Sequence, residues 1–187
     1  MEVEKERKIL GVKRGVAYLI DCFVIFLFAL LLFGASSGIN SIWPFYHYLE
    51  NSYVLRHLVS FSTLTLPALV YFIGMEHSRN KASIGKIALK LRVQHIKQDI
   101  PKVKNLIIRN AFKLLPWEIA HLTYLLNPEF FLTGEISNLG IIIGLSISYG
   151  LIFIYAGMVF LRTDGRSIHE LLSNTYVTRK ESTNLDL

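Results

Sequence analysis

Twenty consecutive residues, Gly15–Gly34 (GVAYLIDCFVIFLFALLLFG), carry a single charge, Asp21. A helix of that length crosses about 30 Å of hydrocarbon at about 1.5 Å per residue. An acid placed inside such a segment costs about 2.5–3.5 kcal/mol on insertion scales, so it marks a partner, a water path or a function. Arg14 stands seven positions earlier, two turns away on the same face. That spacing lets Arg14 reach the headgroups while Asp21 lies deeper. The two are too far apart to touch unless the helix bends or another helix bridges them.

Three further apolar stretches follow, at about Val54–Gly74, Leu106–Leu126 and Leu139–Leu161. The last has no charge, whereas Leu106–Leu126 holds Arg109, Lys113, Glu118 and His121 around Pro116. Only 18% of the chain is charged, against about 25% for a soluble domain, which favours a membrane protein. The net charge of +6 is unevenly placed. Five basic residues precede Gly15, eight lie between Met75 and Asn105 and four follow Leu161, while 35–53 and 127–138 have none. Under the positive-inside rule this distribution fits four crossings with both termini cytoplasmic, and it argues against nucleic acid as the partner. A re-entrant 106–126 segment is the other arrangement. Ile84–Ile96 (IGKIALKLRVQHI) reads as an amphipathic interfacial helix, anchored to anionic headgroups on the cytoplasmic side. Gln94–Lys104, broken by Pro101, reads as a linker. A single domain over 1–187 is expected, with no internal repeat and no cleaved signal after Gly34. The lone Cys22 permits no internal disulfide.

Four motifs stand in order from Lys13 to Val177: Arg14 with Asp21, Ser83-Ile84-Gly85-Lys86, LIIRNAFKLLP and GRSIHELLSNTYV. Together they resemble the RDD family of bacterial and archaeal membrane proteins, with Arg14 and Asp21 similar to its opening signature. Ser83-Ile84-Gly85-Lys86 is similar to its Thr-x-Gly-Lys motif, and LIIRNAFKLLP, with Arg109, to its Arg-containing third segment. GRSIHELLSNTYV (Gly165–Val177) resembles the terminal motif. The family is named for one Arg and two Asp residues. Here the second Asp is replaced by Glu170, which keeps the charge but adds a methylene. The resemblance implies an all-α, four-transmembrane-helix bundle in the cell membrane of a prokaryote. It also gathers Arg14, Asp21 and Glu170 as one signature site, and it brings in cation/proton antiport, which has been proposed for some family members.

No catalytic motif accompanies these residues. Ser83–Lys86 lacks the earlier glycine of a phosphate-binding loop, and His169-Glu170-Leu171-Leu172-Ser173 lacks the second histidine of a zinc-protease helix. The expectation is therefore a protein that is not an enzyme and needs no cofactor or metal. Ser83, Lys86, Arg109, Glu118 and His121 are secondary polar candidates. Glu118 and His121, one turn apart, either satisfy Asp21 across the bundle, or Glu118 is a second titrating site, or the segment tilts along a wet groove where its four ionisable groups need no special role. Asp164 and Glu170 are expected to pair with basic residues of 75–105, unless Glu170 is a cytoplasmic gate. Pro67 and Pro116 free carbonyls that either bind a cation or shape packing. The stripe Gly140, Gly144, Ser148 and Tyr149 suits close helix packing or self-association. Two functions remain open: an oligomeric secondary transporter of monovalent cations and protons, or a scaffold that binds lipid or a partner protein through its basic face.

Overall fold

The structure, a computed structural model, describes residues 2–44, 49, 52–97, 100–127 and 139–180. It is mostly helical. Helix α1 spans Glu2–Ile42, and its 41 residues extend about 60 Å, twice the hydrocarbon thickness. The charged residues at its start lie beyond the apolar run. Helix α2 covers Tyr53–His77 and widens into a π-helical turn at Phe61–Thr65. Pro67 explains that turn, because it has no N–H to return to Thr63. After the one-turn helix α3 (Ile84–Ala88) and strand β1 (Leu91–His95) come α4 (Val103–Leu126) and α5 (Leu139–Leu161). The chain then forms another one-turn helix, α6 (Ile168–Leu172), and strand β2 (Thr175–Arg179).

Three of these helices, α1, α2 and α5, are long and apolar enough to cross a membrane. Their surfaces are inverted relative to a water-soluble bundle. Leu31, Phe33 and Phe153 are 74%, 69% and 75% exposed, while Asp21, Glu76, Arg109 and Glu170 are at most 2% exposed. Apolar side chains outward and charges inward is the pattern a lipid solvent selects. The α4 helix runs through residues 106–126 as expected, but its charges keep it outside the apolar set.

The interfacial helix expected over 84–96 is not formed. The segment is one helical turn followed by a strand, so the bundle is not purely α-helical. Lys90 adopts φ +56°, which stops the helix, and β1 then pairs antiparallel with β2 in the register Val93↔Val177. Leu91, Val93 and Val177 point inward with Ala17 of α1 and Leu106 of α4. Ile84, Ile87, Ala88 and Leu91 fit a helical period, yet Leu91 and Val93 fit a strand equally well, an ambiguity inherent in short runs. Gln94 and His95, read as linker, belong to the strand.

An internal repeat, not expected from the sequence, organises the fold. Ser78–His95 and Arg162–Arg179 have the same course at one constant spacing: a turn, a one-turn helix, a left-handed residue and a strand. Lys81 and Gly165 both have positive φ, as do Lys90 and Asn174. Their hydrogen bonds match too. Lys81 N–H donates to the Ser78 carbonyl as Gly165 N–H does to Arg162, and Ile87 N–H to Ser83 as Leu171 N–H does to Ser167. Ile96 N–H donates to the Asn174 carbonyl, and its counterpart Lys180 to Lys90. The Val93–Val177 pair lies on the pseudo-twofold axis. Only Ser83/Ser167, Ile84/Ile168 and Val93/Val177 are identical between these segments, so the repeat is carried by backbone and packing. It extends back into the preceding helices. Tyr71 of α2 and its counterpart Tyr155 of α5 each send the hydroxyl to the preceding long helix, to Asp21 of α1 and to the Phe112 carbonyl of α4.

Candidate functional site

The basic end of the bundle holds one connected polar network. Asp21 Oδ1 accepts from the Tyr71 hydroxyl and the Gly85 amide, both at 2.9 Å, and Oδ2 from the Ser83 hydroxyl at 2.6 Å. Gly85 is required here, since a Cβ would lie 3.1 Å from Asp21 Cγ and collide with the Ala17 carbonyl. Lys86 Nζ donates to Ser83 Oγ at 3.1 Å and to Glu76 Oε1 at 2.8 Å. Glu76 Oε2 accepts from the Asn110 amide at 3.0 Å and lies 3.4 Å from Arg109 Nε.

Arg109 links this half to the second repeat. Both its terminal nitrogens lie 3.2 Å from Glu170 Oε1, and one also donates to Thr175 Oγ1 at 2.8 Å. Glu170 Oε2 receives the Arg14 guanidinium and the Ser167 amide. Arg14 also donates to the Gly165 carbonyl at 2.6 Å. Burial favours the neutral Glu170 carboxyl, but Arg109 and Arg14 outweigh it and hold the carboxyl at about 2. Beside it, burial and then Arg109 push the His169 imidazole well below its ordinary range, so it is neutral at pH 7.

Arg14 and Asp21 do not touch, as their spacing required, yet they belong to one chain of contacts through Ser83, Lys86, Glu76, Arg109 and Glu170. The structure thus joins six of the eight candidate residues: Arg14, Asp21, Ser83, Lys86, Arg109 and Glu170. Glu118 and His121 stand apart, further along α4, and do not satisfy Asp21. Glu118 accepts from Thr65 of the π turn at 2.6 Å and faces His57 at 3.5 Å, while His121 bonds Ser60 at 2.7 Å. The expected pairing of Glu170 with residues 75–105 is also replaced, by Arg14 and Arg109. Asp164 pairs instead with Arg162 and Arg166, whose hydrogen bonds hold its carboxyl below the usual range.

Glu76, fully buried, was not singled out from the sequence, where it follows an apolar run with no flanking motif. Its spacing from Lys86, across a turn, gave no helical or strand signal. Lys113 is a second addition. Its ammonium is buried without a hydrogen-bond partner, 3.2 Å from the centre of the Phe72 ring. Pro116, Gly144 and Ser148 make close contacts between helices, whereas Gly140 and Tyr149 of the small-residue stripe are exposed. Pro116 leaves the Phe112 carbonyl free, and Tyr155 takes it at 2.9 Å. Ser148 donates to the Pro116 carbonyl at 2.7 Å, and Gly144 lies so close to Thr123 that a Cβ would collide. Among the described residues no group of three or more His, Cys, Asp or Glu side chains is placed to hold a metal.

An inside-out helical bundle with a buried ion-pair network is an integral membrane protein with several hydrophobic helices. Residues 11–131 match the RDD family, and the chain belongs to that family. The terminal repeat, with Glu170, lies beyond the matched residues but folds back onto Arg14 within them. No curated protein and no solved structure matches the chain.

Proposed function

We propose that the protein is a small secondary transporter of the cell membrane that exchanges monovalent cations for protons, with Asp21 as the exchanging carboxylate. One comparison carries this reading. Of the three buried acids in the network, Glu76 lies between Lys86 and Arg109, and Glu170 lies between Arg14 and Arg109. Asp21 forms no salt bridge among the described residues: its hydrogen bonds come from two hydroxyls and an amide, and the buried Lys113 ammonium acts on it only through space. Hydroxyls turn: Ser83 and Tyr71 offer either a proton to the carboxylate or a lone pair to a cation beside it. Asp21 also lines the cleft between α1, α4 and α5.

The repeat supports four crossings. It makes α4 the counterpart of α1, each preceding an apolar helix and a turn–helix–strand unit. Both units then lie on the basic, cytoplasmic side. Four helices enclose little volume, and an oligomer supplies the rest of the path.

A scaffold role is the second reading, favoured by how completely the donors of α2 and α3 brace Asp21. Proteoliposomes with an internal pH dye separate the two. Asp21→Asn removes Na⁺-, K⁺- or Li⁺-driven proton movement while the chain still inserts and elutes as one species. Unaltered exchange in that variant, or loss of folded protein with no exchange in the wild type, rejects the transport reading.

A further inference from the structure

The two repeats are unequally filled. In the first, Phe72 of α2 is fully buried with Leu114 of α4. The counterpart of Phe72 in α5 is Ala156. The missing phenyl opens a cleft of about 210 Å³ between α1, α4 and α5, walled by apolar side chains such as Ile152, Val159 and Phe160. Ile152 and Phe160 are 46% and 40% exposed, so this wall faces outward. On the opposite wall nothing lies within 4 Å of where a Gly15 Cβ would stand.

Towards the basic end the cleft meets a second pocket of about 60 Å³, with which it shares Gly11, Arg14, Val159 and Val177. That pocket presents Arg7, Arg14 and Arg166, with Asp164 in its lining and Glu170 engaging Arg14 from behind it. Arg7 uses one bond on the Arg162 carbonyl, and Arg166 is engaged by Asp164. Each guanidinium has five N–H donors, so several remain for an anion. The junction lies where the apolar run of α1 begins at Gly15 and α5 ends at Leu161, the level at which headgroups meet acyl chains.

We propose that the joined cleft and pocket bind one anionic phospholipid, its acyl chain beside Ala156 and its phosphate among Arg7, Arg14 and Arg166. Charge complementarity selects this occupant. A second copy docking through an apolar helix would leave three arginines facing hydrocarbon, and a soluble phosphate would leave the apolar cleft unfilled. The cleft also borders Asp21, Lys86, Arg109 and Lys113, so the acyl chain lies beside the proposed exchange carboxylate; lipid retention is nevertheless read without any exchange assay, so the two proposals fail separately.

Native mass spectrometry of the purified full chain tests the site. The chain is delipidated in detergent and offered phosphatidylglycerol, phosphatidylcholine or inorganic phosphate. Wild type retains one phosphatidylglycerol per chain in preference to phosphatidylcholine, and millimolar phosphate does not displace it. Ala156→Phe restores the phenyl of the other repeat and removes the retained lipid without altering monodispersity. Arg7→Gln and Arg166→Gln each weaken retention about five-fold, from about 1 kcal/mol per basic residue. Equal retention of both lipids, displacement by phosphate, unchanged retention in Ala156→Phe, or a shift of oligomeric state in its place overturns the proposal.

Discussion

Replacing Glu170 by glutamine separates charge from shape at the residue that ties the two repeats together. Glutamine is nearly isosteric, so packing around α6 is kept, but Arg14 and Arg109 lose their shared counter-charge. The carboxyl is held at about 2 against an ordinary 4.5. At about 1.4 kcal/mol per pH unit that displacement corresponds to about 3 kcal/mol of stability. Breaking a buried ion pair on one side costs about 3–5 kcal/mol, which agrees. The sign follows from a depressed carboxyl: the contribution is complete above pH 4.5 and is lost as pH falls towards 2. Thermal unfolding of the purified chain in detergent, followed by tryptophan fluorescence from Trp43 and Trp117, reads it directly. Glu170→Gln unfolds at a lower temperature at pH 7, and its gap from wild type narrows as pH falls from 4.5 to 2. A gap independent of pH over that window, or no gap at pH 7, refutes the ion-pair account.

Two other substitutions have signs that local rules alone do not give. Helix propensity favours alanine over glycine by about 1 kcal/mol, yet Gly85→Ala should destabilise by at least about 3 kcal/mol. Its Cβ would meet the Ala17 backbone and displace the amide from Asp21; a melting point at or above wild type in detergent would disprove the close approach. Lys113→Met should raise the unfolding midpoint. It removes an ammonium with no hydrogen-bond partner whose burial costs several kcal/mol, against about 2 kcal/mol from Phe72, and a flexible thioether keeps the ring contact. A lower midpoint would show that Lys113 balances the acids of the network.

The helices were legible because each depends on a long stretch of chain. The run Gly15–Gly34 and the chargeless Leu139–Leu161 required helices wherever a membrane is the solvent, and both formed. The signature residues were legible as a set through family resemblance, although their partners were not. Glu76 and Arg109 meet because α2 and α4 pack side by side, and no spacing within either segment encodes that. The strand was misread for a local reason: five residues satisfy both periods, and Lys90, whose positive φ decides between them, is not a residue type that announces a left-handed turn. The repeat was hidden because its two units share little beyond a serine, an isoleucine and a valine.

Those two units also differ where difference is needed. Lys86 and Glu170 occupy equivalent positions in α3 and α6, both buried, with opposite charge. A strict repeat would have placed two lysines or two carboxylates near the axis, each costing several kcal/mol without a partner. Opposite charges let the units close on a single chain, Lys86–Glu76–Arg109–Glu170, in which every acid has two cations. Asp21 lies just outside that chain, touching it only through the Ser83 hydroxyl. Neutralising Glu76 or Glu170 would strand cations that other elements depend on, whereas the hydrogen-bond donors on Asp21 are two hydroxyls and an amide. The asymmetry between the repeats therefore leaves Asp21 as the acid of this network outside the ion-pair chain, in a helix long and apolar enough to cross a membrane, and the proposed exchange is assigned to it on that ground.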